Sequence, residues 1–541
     1  MPSSADLVLH NAQVYTVDAN RPTAEAFAVR DGRFLSVGAE ASVLEAHPDA
    51  RRIDVGGRTV VPGFIDAHAH LLQTGLSLLR ADLTDADSPE AVVVQLRAFA
   101  DRRDLADEAW LRGHGWDETG WDELPSRSHL DAAFPDRPVW LTRTDVHAGW
   151  ANTAALEATV GLDRLRKMSD PDGGHIHRTT DGTPTGILVD DAMGLVTDEI
   201  PPPGNARRDR AIRTALDHTA RHGITGLHDA GVPLSQIRRF ERFIEDEAFP
   251  LRLYAMIDGR GDTFDHFCEH GPLHHDSGRL DVESVKFFAD GALGSRGAAL
   301  LTDYADDPGN RGLLLHDEDA FHRHVQAAVE CGFQVNTHAI GDRANRLVLD
   351  AYEAAMEECD APLRRPRIEH AQILHPDDLP RFGELDVIAS VQPLFATSDM
   401  GWVGGRLGPD RLDGAYAWKQ LADTGAHLAF GSDAPVEPID PLRGFHAAVT
   451  RRDADGQPEG GWRPEERVSR STALRAYTLG AATAAFREDE VGSITPGKRA
   501  DWTVLSHDIL TCNADALLQA EVLATYLDGA PVFSQTDWPD P

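Results

Sequence analysis

Val60-Val-Pro-Gly-Phe-Ile-Asp-Ala-His-Ala-His70 is an apolar run that closes on two histidines one residue apart. A strand turns alternate side chains to the same side, so His68 and His70 present their imidazoles together. The chain has 25 histidines among 541 residues, for which chance placement gives about one His-x-His pair. It carries three. His175-Ile-His177 lies among Asp, Gly and Thr and reads as a loop, while His322-Arg-His324 sits in a helical stretch. Only the first pair ends an apolar strand.

Outward from this strand, apolar runs recur with helix-like stretches between them. Strands are expected at Thr59–Ile65, Val139–Thr142, Gly226–His228, Val282–Phe288, Phe333–Thr337, Arg367–Glu369, Val387–Val391 and His427–Phe430. Amphipathic segments such as Arg207–His222, Asp319–Cys331 and Asp342–Glu358 fit crossover helices. Alternating β and α elements imply a parallel sheet, and eight such strands imply a closed (β/α)8 TIM barrel. The interval 71–136 then reads as an inserted lobe after the first strand. Its His114-Gly-Trp-Asp-Glu-Thr-Gly-Trp121 is an aromatic and polar cluster suited to capping a pocket. Both ends of the chain alternate in the strand manner, with Asp31-Gly32 and Asp528-Gly529 as hairpin turns. The expected organisation is a small β-sandwich domain from residues 1–61 and 488–541, enclosing a barrel at 62–487.

In such a barrel, catalytic groups stand at the C-terminal ends of strands. His68, His70, Lys286, His338, His370 and Asp433 all fall at or near those positions. Histidine and aspartate suit Zn²⁺, and three or more protein ligands with an open position make a catalytic site. Lys286 is one of only four lysines, with 167, 419 and 498, and lies between Val285 and Phe287 in a central strand. A buried ammonium loses its proton or seeks a carboxylate. One reading is an ion pair with Asp290 or Asp229. The other is a neutral amine that adds CO₂, giving a carbamate able to bridge two metal ions.

The chain has 52 Lys and Arg against 88 Asp and Glu, a formal net charge of −36. So acidic a surface repels phosphate backbones and anionic lipid, which argues against nucleic acid and membrane partners. It suits a salty cytoplasm or an acidic proteome. A 41% hydrophobic content excludes disorder. Cys268, Cys331, Cys359 and Cys512 are scattered and read as reduced thiols. With no basic-then-apolar leader and no apolar run long enough for a membrane span, a soluble cytoplasmic protein is expected.

Several ordered segments resemble the amidohydrolase superfamily, in its amidohydrolase-3 branch typified by N-substituted formamide deformylases. They are Pro62-Gly-Phe-Ile-Asp-Ala-His-Ala-His70, Lys286-Phe-Phe-Ala-Asp-Gly-Ala-Leu-Gly-Ser-Arg296, Thr337-His-Ala-Ile-Gly-Asp342, Arg367-Ile-Glu-His-Ala-Gln372, Phe430-Gly-Ser-Asp-Ala-Pro435 and Gly492-Ser-Ile-Thr-Pro-Gly-Lys-Arg-Ala-Asp501. The resemblance implies His68, His70, carboxylated Lys286, His338 and His370 as ligands of one or two divalent ions. It makes Asp433 the acid–base aspartate. Gln392 would line the pocket without binding metal. Trp116, His147 and Trp150 would stand near a small-molecule substrate, or else pack the inserted lobe. The implied reaction is hydrolysis of a carbon–nitrogen bond other than a peptide bond. Deamination, lactone or ester hydrolysis and metal-assisted isomerisation share the same ligand set, and a non-catalytic binding protein is the remaining class. A homodimer is the arrangement typical of the family.

Overall fold

The computed structural model describes residues 5–102, 110–118, 121, 124–144, 147–171, 173–536 and 538–539. Within it the chain forms two compact units, one of residues 1–71 and 216–541 and one of residues 72–215.

The first unit holds a ring of eight parallel strands, paired in chain order: β1 (Phe64–Ala69), β2 (Ile224–Val232), β3 (Arg252–Asp258), β4 (Leu280–Phe288), β5 (Gln334–Ala339), β6 (Arg367–His370), β7 (Ile388–Val391) and β8 (Leu428–Phe430). At the mouth, the Asp433 amide donates to the His68 carbonyl and the His70 amide to the Ala434 carbonyl, joining the last strand to the first. This is a TIM barrel. Crossover helices include Glu318–Glu330, capped by the Asp317 carboxylate on the Ala320 amide, and Asp342–Glu358.

Two strand assignments are corrected. Val139–Arg143 is not in the barrel; it pairs with Leu111–Trp116 and Ala148–Ala151 in the second unit. Its place is taken by β3, which begins on a charged residue. Arg252 is tolerated there because Asp501 and Asp528 pair with it; its Nε lies 2.7 Å from Asp501 Oδ2. The expected strand Thr59–Ile65 is two strands broken at Gly63, where a Cβ would lie 2.2 Å from Thr225 Oγ1. Thr59–Pro62 pairs with Trp502–Leu505 on one side and Gln13–Tyr15 on the other, so both chain ends meet in one sheet. A second sheet, of Arg33–Gly38, Ala26–Arg30, Leu7–His10 and Arg51–Asp54, shares its core. Phe27 and Phe34 pack there with Trp502, which stacks on Tyr526 at 4.2 Å.

The second unit is larger than the interval 71–136. Its six-stranded sheet runs Gly174–Arg178, Pro184–Asp190, Ala148–Ala151, Val139–Arg143, Leu111–Trp116, Ala81–Asp82. His175 and His177 are in its edge strand rather than a loop. Thr119 and Gly120 of the aromatic cluster lie outside the described residues.

The cysteine expectation is also corrected. Cys268 and Cys331 form a disulfide, leaving Cys359 and Cys512 free. The partners are 63 residues apart in sequence. They meet because helices Asp262–His270 and Glu318–Glu330 follow the adjacent strands β3 and β4.

Candidate metal centre

The barrel brings five of the expected ligands to one end. His68 and His70 leave β1, Lys286 lies on β4, His338 on β5 and His370 closes β6, with Asp433 just beyond β8. The His68 ring lies 5.7 Å from that of His70 and 4.9 Å from that of His370, which is 4.6 Å from His338. Asp433 and His370 hold positive φ values of 58° and 76°. Such backbone conformations are costly for residues with side chains and gather at functional sites. The loop before Asp433 is clamped by Asp66, whose carboxylate accepts from the His68 and Ser432 amides at 3.0 Å each and from the Ser432 hydroxyl at 2.6 Å. Burial lifts Asp66 to about 6 and Asp229 to about 7.

The hydrogen bonds fix how the imidazoles face. His68 Nδ1 meets the Glu369 carboxylate at 2.5 Å, His70 Nδ1 the Ala230 carbonyl at 3.0 Å, and His370 Nδ1 the Gln392 Oε1 at 2.8 Å. Each acceptor takes the Nδ1 proton and leaves the Nε2 lone pair free. Those of His68 and His70 lie 3.6 and 3.2 Å from Asp433 Oδ1. Lone pairs facing a carboxylate oxygen repel unless a cation or a proton stands between them. The ligand atoms of His68, His70 and Asp433 all lie within 4.8 Å of one another. Among the described residues, the buried His338 Nε2 and Gln392 Nε2 have no hydrogen-bond partner. Nitrogen and carboxylate donors so arranged fit a divalent cation.

Charge at the centre follows the same geometry. Burial alone would raise Asp433, but the adjacent His70 ring and the nearby histidines hold its carboxyl well below the usual range. Burial lowers His70, and Asp433 outweighs it, so the imidazole gains basicity. Burial, then the charge of Lys286, pushes His68 well down.

Lys286 is 2% exposed. Its Nζ lies 3.3 Å from His68 Nε2, and among the described residues no carboxylate pairs with it. Asp290 is engaged by the amides of Ala299, Ile340 and Gly341, and Asp229 by that of Leu71. Neither forms the ion pair that was the alternative. Burial therefore lowers the Lys286 amine to about 8, against the pull of Glu369 and Asp433.

The other expected residues fall differently. Gln392 is buried and holds His370. Trp116 and Trp150 are buried in the core of the second unit, their rings 5.9 Å apart, with Trp116 Nε1 donating to the Leu141 carbonyl. His147 is exposed, its Nδ1 2.7 Å from Asp190 Oδ1. Sequence reasoning passed over Glu369 and Arg367 as site residues. The available signal was two opposite charges two apart on a central strand.

A parallel barrel with histidines, a buried lysine and an aspartate converging at its C-terminal mouth defines a metal-dependent hydrolase. A sequence profile of the amidohydrolase family matches residues 51–533. The protein YtcJ of Bacillus subtilis (strain 168) is 34% identical over 544 residues, covering 98% of this chain and 99% of its own. The N-substituted formamide deformylase of Arthrobacter pascens is 32% identical over 561 residues, covering 99% and 100%. The crystal structure of an uncharacterized metal-dependent hydrolase from Pyrococcus furiosus superposes with a TM-score of 0.77 at 28% identity, covering 93% of this chain and 100% of that one. The chain belongs to the amidohydrolase family and is an enzyme acting on carbon–nitrogen bonds.

Proposed function

We propose that this enzyme hydrolyses a non-peptide amide of the N-substituted amide or formamide type, with Asp433 as its acid–base group. The observation that carries this reading is Asp433 Oδ1 facing the free lone pairs of His68 and His70 at 3.6 and 3.2 Å. The full-length similarity to a formamide deformylase supports the substrate class.

On this reading His68, His70, His338, His370 and Asp433 hold one or two divalent ions, zinc by donor type, with Lys286 completing the set as a carbamate. The bound ion supplies Lewis acidity, lowering the pKa of water and polarising a carbonyl. Asp433 takes the proton of the attacking water and passes it to the leaving nitrogen. Lys286 meets the requirement for carbamate formation because its amine, near 8, has a neutral fraction at neutral pH. His147, Trp116 and Trp150 remain the residues expected near the substrate; His147 is exposed, and the two tryptophans pack the core of their own unit. The two terminal sheets make up the small β-sandwich domain, and the assembly is a homodimer.

Reduced thiols are one of the two supports for a cytoplasmic location, and the Cys268–Cys331 disulfide removes that one. Among the described residues no helix is long and apolar enough to cross a membrane.

The test combines metal analysis, intact mass and a panel of N-formyl amines, cyclic imides, aminopurines and lactones. Wild-type protein expressed with bicarbonate should carry metal and a CO₂-sized adduct on Lys286, and should turn over an N-formyl amine. Asp433→Asn should retain metal yet lose about 10²–10⁴-fold in kcat. Near-normal kcat in that variant would sink the assigned role. Preference for an aminopurine or lactone would move the protein to another reaction on the same barrel.

A further inference from the structure

The centre of the barrel contains a charged network that the proposed chemistry does not use. Arg367 and Glu369 are each 0% exposed, on β6. Arg367 donates from Nε to Glu369 Oε1 at 2.8 Å and from Nη2 to Oε2 at 3.1 Å. It also donates to the Ala67 carbonyl at 2.7 Å and to Ser390 Oγ at 3.1 Å, and its Nη1 meets His228 Nδ1 at 3.0 Å. The guanidinium thus ties β1, β2, β6 and β7 together around one carboxylate. That carboxylate turns its remaining acceptor capacity on His68 Nδ1 at 2.5 Å.

Burying a full ion pair is expensive, and apolar side chains of similar volume commonly stabilise a fold as well or better. A need for packing alone does not explain this arrangement. Nor does a need to set the imidazole tautomer, since His70 achieves that with a carbonyl and His370 with an amide. What a carboxylate adds is negative charge on the far side of the ring, which makes Nε2 a stronger donor. Among these three histidines only His68 receives it. Its Nε2 is also the nitrogen within 3.6 Å of both Asp433 Oδ1 and Lys286 Nζ.

We propose that Glu369, locked in place by Arg367, is the positioning residue that orients and polarises His68 and so sets how tightly the centre holds its cation. The inference rests on the metal reading above, and its test separates the two. Arg367 supplies the compensating charge that lets an ionised carboxylate sit in the barrel interior, and its fork prevents Glu369 from turning away from the ring.

The experiment uses full-length protein as Glu369→Gln and as the double variant Arg367→Met with Glu369→Gln. The second variant leaves no charge unpaired and guards against misfolding of the first. Three quantities are measured: Co²⁺ dissociation constant by chelator competition, the visible spectrum of the Co²⁺ form, and the thermal midpoint of metal-free protein. Both variants keep an acceptor for His68 and lose its charge. Metal affinity should therefore fall about 10- to 100-fold in each, with a shifted Co²⁺ spectrum, while the double variant keeps a cooperative metal-free transition. Wild-type affinity and an unchanged spectrum in the double variant would overturn the proposal and leave the network a purely structural one. Failure of wild-type protein to bind Co²⁺ would instead overturn the metal reading, and this inference with it.

Discussion

Lys286 and Asp399 show how burial turns an ordinary ionisable residue into a specialised one. Arginine could not serve at position 286, because a guanidinium does not release its proton, whereas a buried amine near 8 does so readily. Asp399 is the acidic counterpart outside the metal cluster. Burial lifts it to about 6, although Tyr416 donates to it at 2.5 Å and Gln372 at 2.8 Å. The folded protein therefore holds a proton on Asp399 more tightly than the unfolded chain. Between about pH 4 and 6 the native state binds more protons, so stability falls as pH rises through that window, by on the order of 3 kcal/mol. Asp399→Asn removes this titration. Its unfolding free energy relative to wild type should climb between pH 4 and 7 in denaturant melts, and a pH-independent difference would contradict the assignment.

At the scale of elements, the end of β8 bears closely on the centre, because the residues after it touch β1 directly. Gly431 is packed so tightly that a Cβ would lie 2.5 Å from the His68 amide nitrogen and 2.8 Å from Asp66 Oδ1. Gly431→Ala should cost about 1–3 kcal/mol through this overpacking and reduce metal content. Gly401→Ala, with nothing within 4 Å of its added Cβ, should cost little. Equal thermal shifts in the two variants would refute the packing argument. Elements differed in how legible they were. Asp342–Glu358 was read to the residue because its apolar face repeats at helical spacing over its whole length. The sequence reading omits β3 and counts Val139–Thr142 in the barrel instead, since a short apolar run carries no label for the sheet it joins. The numbering of the later strands survived because one false strand replaced one missed strand.

For the whole molecule, covalent and charge links join segments far apart in sequence. Arg252 on β3 pairs with Asp501 and Asp528 near the other end of the chain, and the disulfide ties the helices after β3 and β4. Thiol titration of the denatured, unreduced protein should find two reactive cysteines, Cys359 and Cys512, and four after reduction. Four before reduction would show the bond absent. The −36 charge speaks to partners and solubility and not to the reaction. Local pattern was enough to establish the parallel β/α class, the His68–His70 pair, the anomalous lysine and the residues at the strand ends, because alternation and helical spacing are properties of neighbouring residues. Partnerships were decided only by the folded chain: Lys286 beside His68 rather than an aspartate, Glu369 on His68, Gln392 on His370, Cys268 on Cys331, and residues 72–215 as a unit of their own. Each depends on which strands and helices become neighbours, and that follows from closing the whole sheet, not from the order of residues within any one strand.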